Sequence, residues 1–306
     1  MKFVRIFLTI LAYIFVIAGI ILTGLYRWNN KEKKDLTDAD RKQAGGQYIK
    51  LSQGITHYQL GGPATGKVVV LIHGFSVPYY IWDGTYEYLT AQGFRVLRYD
   101  EYGRGFSDRP DITYNHQVYM QQLNELLTNL HLQAPVNLVG VSFGGKVARD
   151  FTCQYPQLVN KVVLIDPAYS KMKPNTPELI TDYQFTIHSD KRAESQVEDF
   201  KYPNRHPDWV SKYKTQMQYK GFTHALVSTL YNYPSEGKAE SICLNNTHKP
   251  TLLIWGKEDH TVPFQYSDSV RSVLKATFLP VDDAGHLPYL EQAATVNPKI
   301  AAFLKD

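Results

Sequence analysis

Apolar positions recur along this chain in three different rhythms. Residues 6–25 carry no charged side chain, and Thr9, Tyr13 and Thr23 are the polar interruptions. This run of ~20 residues is the length a helix needs to cross the hydrocarbon core of a bilayer. Farther along, short runs rich in Val, Ile and Leu lie at 68–72, 94–99, 136–141, 162–165, 251–255 and 277–281. Continuous runs of this kind suit strands covered on both faces of a parallel sheet. Segments 47–51 and 55–60, on either side of Gly54, read as a hairpin. The stretch 115–132 places Val118, Leu123, Leu126, Leu127 and Leu130 at helical spacing. Further helices are expected from residue 142 to 155, over 264–275, and over 298–304 with Pro298 in the first turn.

Residues 168–248 interrupt the alternation of strand and helix. They are rich in Tyr, Lys, Pro and Asn, with helical patches at 209–219 and 223–231. The alternation then resumes. The pattern predicts an α/β protein with a doubly wound, mostly parallel sheet, an inserted cap and an N-terminal transmembrane helix. Its divisions are a membrane anchor at 1–26, a charged linker at 27–46, core at 47–167, the cap insert at 168–248 and core again at 249–306. Active sites in such sheets collect at the carboxyl ends of the strands.

Composition narrows the function classes. Of the 306 residues 43% are hydrophobic and 20% charged, which predicts a packed core. The net charge is +4, but eight of the 33 cationic and four of the 29 acidic side chains lie in residues 1–42. The remainder carries 25 of each sign and has no net field to attract nucleic acid. Tyr26 and Trp28 follow the apolar run where an interfacial aromatic belt sits. The run ends Ile21-Leu22-Thr23-Gly24-Leu25, without the small-x-small site of a cleaved signal, so an uncleaved anchor is expected. Two Lys or Arg precede the span and six follow it, which favours a cytoplasmic catalytic domain. The linker, ending in Gly45-Gly46, reads as a solvated stalk. Cys153 and Cys243 are read as two unrelated, partly buried thiols. No Cys–His cluster has metal-ligand spacing, and no cofactor is expected.

The chemistry is carried by Gly140-Val141-Ser142-Phe143-Gly144, a G-x-S-x-G stretch between a predicted buried strand and a predicted helix. A nucleophilic serine must project from a sharp turn, which needs small neighbours two residues before and after it. A hydroxyl also needs a base to activate it. Asp259 lies just past the strand at 251–255, and His286 just past the strand at 277–281. Ser142 is thus the expected nucleophile, His286 the general base and Asp259 the carboxylate that orients the imidazole. Glu258 is the rival acid and His260 the rival base; both read as ordinary loop side chains. His73-Gly74-Phe75 follows the first core strand. The oxyanion donors are expected to be the backbone N–H groups of Phe75 and Phe143, with His73 structural.

From residue 47 onward the chain resembles the α/β-hydrolase superfamily. The resemblance rests on His73-Gly74-Phe75, on Asp100 through Pro110, on Gly140 through Gly145, on Gly256 through Pro263 and on Gly285-His286. Within it Arg104, Asp108 and Arg109 belong to a scaffold loop. Ser142 argues against the epoxide hydrolases and haloalkane dehalogenases of this superfamily, which use an aspartate. The anchor and cap are similar to membrane-anchored monoacylglycerol lipases and carboxylesterases. That resemblance implies an acyl-enzyme on Ser142 and a lipophilic, acylglycerol-like ester substrate. Two alternatives stand beside it. One is a carbon–carbon bond or small-metabolite hydrolase of the same fold, with Arg192 and Trp209 as cap residues shaping specificity. The other is an inactive tethered binding module. The aromatic rings of the insert either line an apolar pocket or form the cap's own core.

Overall fold

The computed structural model describes residues 2–169, 173–234 and 237–305. Among them the apolar runs pair into one eight-stranded sheet. Its strands are β1 Gln47–Leu51, β2 Gly54–Gly61, β3 Val68–Ile72, β4 Arg95–Tyr99, β5 Val136–Val141, β6 Val159–Ile165, β7 Thr251–Gly256 and β8 Thr277–Val281. They lie in the order β1-β2-β4-β3-β5-β6-β7-β8. β1 and β2 form the expected hairpin, with Gln47 opposite Tyr58 and Leu51 opposite Gly54. β2 meets β4 antiparallel; β4 through β8 run parallel.

Every residue of β3, β5 and β7 is buried, because helices cover both faces. Along β3, Val68, Val70 and Ile72 face one apolar layer and Val69 and Leu71 the other. The N-terminal helix is α1, Lys2–Asn29, and a short helix α2 spans Asp38–Ala44. Helix α3, Thr85–Ala91, lies in the second layer. Helices α4, His116–Asn129, and α5, Phe143–Gln154, lie in the first.

The insert is helical throughout much of its length: α6 Glu178–Ile187, α7 Ser189–Glu194, α8 Trp209–Met217, α9 Phe222–Asn232 and α10 Lys238–Asn246. The core then closes with α11 Tyr266–Arg271, α12 Pro288–Glu291 and α13 Ala293–Lys305. Helix α13 starts earlier than predicted, so Pro298 lies inside it. Val296, Ile300, Ala301 and Leu304 bury one stripe of that helix, and this packing outweighs the backbone bond that proline removes. Helix α11 is shorter than the predicted 264–275.

Trp209, Tyr213 and Phe222 are buried and join the second apolar layer of the core. Trp209 packs edge-on against Tyr80 and Phe200, and the Arg192 guanidinium lies over the Phe185 ring.

Helix α1 is apolar enough to cross a membrane, with a mean hydropathy of 2.7 in its most apolar window, and none of it is buried. The segment after it departs from the solvated stalk that its charge predicts. The Glu32 carboxylate accepts the N–H groups of Gly221 and Thr223 at 2.6 and 2.7 Å, where the start of α9 leaves donors unpaired. Lys33 and Lys34 donate backbone N–H groups to the Gln218 carbonyl. Arg41 pairs with Asp38 and Asp108. Helices α6 and α7 both meet α1: the Tyr183 hydroxyl of α6 donates to the Leu22 carbonyl and the Ser189 hydroxyl of α7 to that of Asn29.

The cysteines correct a second expectation. Cys153 on α5 and Cys243 on α10 are joined in a disulfide, with Cα atoms 5.9 Å apart and a sequence separation of 90. Packing of α10 on α5 brings them together, a contact with no local signature in the chain.

Candidate active site

Strand β5 delivers Ser142 to the rim of the sheet, and α5 begins at the next residue. Ser142 has φ 53°, a conformation that costs a non-glycine residue of order 1–3 kcal/mol. The surroundings hold it there. Its N–H donates to Ile165 O, and its carbonyl accepts the N–H groups of Gly145 and Ala168. A Cβ on Gly140 would lie 2.2 Å from the carbonyl oxygen of Gly144, and one on Gly144 would lie 2.2 Å from that of Ile72. The two glycines are therefore required by backbone contact.

His286 follows β8. Its backbone N–H donates to Asp199 O in the cap, and its Nδ1 lies 2.7 Å from Asp259 Oδ2. The other carboxylate oxygen of Asp259 accepts the N–H groups of Thr261 and Val262 at 2.8 and 2.9 Å. Burial alone would depress the imidazole. The Asp259 carboxylate, its hydrogen bond and the charge of Asp199 outweigh burial and hold His286 above the ordinary histidine range. Glu258 turns elsewhere, to Lys201 Nζ and the Ala284 N–H, and His260 is exposed.

Beneath the rim, His73 Nδ1–H donates to Gly74 O at 2.7 Å and Nε2 accepts the Glu101 N–H at 2.9 Å. Burial lowers its pKa to about 4, so the ring is neutral and serves the loop. The fully buried Arg104 locks the same loop. Its Nε donates to the Phe75 carbonyl, Nη1 to Tyr102 O and the Tyr119 hydroxyl, and Nη2 to Thr229 Oγ1 on α9. Asp108 accepts the Ile55 N–H, and Arg109 donates to the carbonyls of Ser107 and Gly105. All three act as scaffold. Phe143 opens α5, so its N–H belongs to the unpaired first turn.

Ser142 and His286 line one cavity of about 180 Å³, together with Gly74, Phe75, Ile81 and Leu287. The cap contributes Gln196 and Asp199 to its wall. Neither Arg192, Trp209 nor the aromatic rings of the insert belong to that lining. Asp199 Oδ1 accepts the Thr261 hydroxyl proton at 2.6 Å.

Asp166, at the end of β6, escaped the sequence reading. Its carboxyl, that of Asp259 and the His286 ring offer oxygen and nitrogen atoms within 4.8 Å of one another. The available signal was an acid directly after a core strand, one strand along from the serine turn. As a metal cradle the trio is poorly disposed. His286 Nδ1 and both Asp259 oxygens are already engaged in hydrogen bonds.

A parallel sheet with helices on both faces, a serine on a strained strand-to-helix turn and a cap over the rim define one class. The chain belongs to the α/β-hydrolase fold family, whose model matches residues 67–293. Over 244 residues it is 30% identical to the alpha/beta hydrolase domain-containing protein VTE7 of Arabidopsis thaliana, covering 76% of this chain and 70% of that one. A stretch of 101 residues is 38% identical to an uncharacterized protein of Mycobacterium tuberculosis, 33% of this chain and 29% of that protein's length. Among solved structures, the enol-lactonase from Burkholderia xenovorans LB400 superposes with a TM-score of 0.74 at 20% identity. It covers 85% of this chain and 100% of its own. That likeness is one of fold.

Proposed function

We propose that this hydrolase cleaves carboxylic esters through an acyl-enzyme on Ser142. The observation that carries the reading is Ser142 on its strained turn in one cavity with His286, whose Nδ1 is held by Asp259 at 2.7 Å. With Nδ1 engaged, Nε2 is the ring nitrogen left to take the Ser142 proton as Oγ attacks the acyl carbon. The N–H groups of Phe75 and Phe143 receive the oxyanion. His286 then gives its proton to the departing alcohol, and water releases the acid by the same steps in reverse roles.

The cavity is smaller than the ~300–1,000 Å³ of drug-sized ligand sites and favours a short acyl group. On 4-nitrophenyl esters, kcat/KM is expected to be higher for acetate and butyrate than for palmitate. The base must be neutral, so activity falls as pH drops through the raised His286 pKa, with the acid limb above ~6.5. Absence of ester turnover with any acyl length would reject the reading.

We read α1 as a membrane anchor. The neighbouring cap supports this, since Leu179 and Ile180 of α6 are 81% and 47% exposed beside it. An ester presented at the bilayer surface then reaches the site at raised local concentration. The Lys and Arg count favours the cytoplasmic side, but two of the six charges after the span pair with the folded domain, Lys31 with Asp190 and Arg41 with Asp108. The Cys153–Cys243 disulfide favours an oxidising compartment, because cytosolic thiols are kept reduced. Maleimide trapping in intact cells should leave both cysteines unlabelled until a reductant is added. Labelling without reductant would return the domain to the cytoplasm.

A further inference from the structure

Asp166 is completely buried and is held at φ 41° by its own N–H, which donates to Ile254 O. Its Oδ1 accepts the Gly256 N–H at 2.9 Å. Its Oδ2 is buried and has no hydrogen-bond donor among the described residues. Directly beside it is the Asp259 carboxylate, within the 4.8 Å cluster that includes His286. Two carboxylates this close, shielded from water, cannot both carry a full charge without a large penalty. Three N–H donors already stabilise charge on Asp259, namely those of Thr261, Val262 and His286, whereas one reaches Asp166. The charge therefore settles on Asp259 and the proton on Asp166.

We propose that Asp166 is a positioning residue for the catalytic acid, donating a hydrogen bond from Oδ2–H to the Asp259 carboxylate. This rests on the triad reading above. Burial first, and the Asp259 charge second, push the Asp166 carboxyl well above the ordinary range, in keeping with the geometry. The bond would do two things. It restrains the carboxylate that orients His286. It also draws electron density from Asp259 and so limits how far the imidazole pKa is raised.

The test uses the full chain in detergent and reads both ester hydrolysis and the pH dependence of the rate of fluorophosphonate labelling at Ser142. Asp166→Asn keeps an acceptor for the Gly256 N–H and a neutral donor towards Asp259. It is expected to hold kcat/KM within a few-fold and to leave the acid limb unmoved. Asp166→Ala loses the donor, and kcat/KM falls on the order of 10–100-fold, the worth of one hydrogen bond to a charged group. Its acid limb moves to higher pH, because Asp259 then holds the imidazolium more tightly. An acid limb that moves to lower pH in Asp166→Asn would mean that a negative charge had been removed, and would overturn the proposal. So would an unmoved limb in a folded Asp166→Ala protein, which would leave Asp166 a purely structural acceptor. Should Asp166→Ala fail to fold, the Asp166→Asn profile decides alone. Ser142→Ala separates the two levels. If that variant keeps full activity, the triad itself falls and the role of Asp166 with it. If it is dead while Asp166→Asn shifts the limb, this proposal alone falls.

Discussion

Replacing Ser142 by Ala is expected to lower kcat on short-chain esters by ~10⁵–10⁶-fold while the thermal unfolding midpoint stays close to that of the parent protein. The expectation follows from how the parts divide the chemistry. In the mechanism we propose, the hydroxyl is the attacking group and His286 and Asp259 act only through it, so losing the hydroxyl removes what all three would do together. The oxyanion donors and the cavity remain and account for a residual ~10³–10⁴-fold rate over water. The methyl group keeps the backbone turn, whose hydrogen bonds to Ile165, Gly145 and Ala168 do not involve the side chain. Fluorophosphonate labelling should disappear in the same variant. Esterase activity within tenfold of the parent would show that another group performs the attack.

The second large effect is on stability. Arg104→Ala should destabilise the fold by about 4 kcal/mol, because it leaves a buried and a half-buried carbonyl without their donor and breaks up a buried polar cluster. Arg104 ties the loop that follows β3 to α4, through Tyr119, and to α9 of the cap, through Thr229. The loss should therefore appear both as a lower unfolding midpoint and as a further ~10²-fold fall in kcat from a displaced Phe75 N–H. Arg104→Lys restores little, because a single ammonium cannot reach partners arranged about a planar fork. Denaturant melts of both variants, read beside kcat, check this. A lysine variant with parental stability would show that charge alone, without the fork geometry, holds the loop.

Both predictions concern residues the chain announces differently. Ser142 sits in a spacing that is itself a steric statement, since backbone crowding at Gly140 and Gly144 excludes larger residues. Arg104 is recognisable as scaffold from its loop, but its four partners come from residues 75, 102, 119 and 229. No sequence pattern lists them. Asp166 is harder still, because its role depends on lying beside Asp259, 93 positions later, and on the burial of both. The cysteines were misread for the same reason, as each is unremarkable in its own helix and they meet only when α10 packs on α5.

The linker and the cap show the limit of composition as a guide. A linker with six cations and four acids over residues 27–46 reads as solvated, yet Glu32 caps α9 and Arg41 is buried against Asp108. Charge alone does not reveal whether partners await it. The aromatic rings of the insert were equally ambiguous, and in the fold some pack on one another and others on the core, as Tyr233 does on Phe143, while Gln196 and Asp199 face the serine.

What this chain determined by itself is local and periodic. Apolar runs became strands whose ends lie within three residues of those expected, all but the edge strand β8 mostly buried, the α1 helix followed from an uninterrupted apolar stretch, and the serine turn followed from its two glycines. Each of these depends on neighbours a few residues away, so the physics can be read along the chain. The tertiary structure decided which carboxyl meets the His286 ring, that a second acid lies behind it, which cysteines join and which cap side chains face the serine. Those outcomes depend on distances between segments far apart in sequence and on the exclusion of water from between them, and only folding sets both.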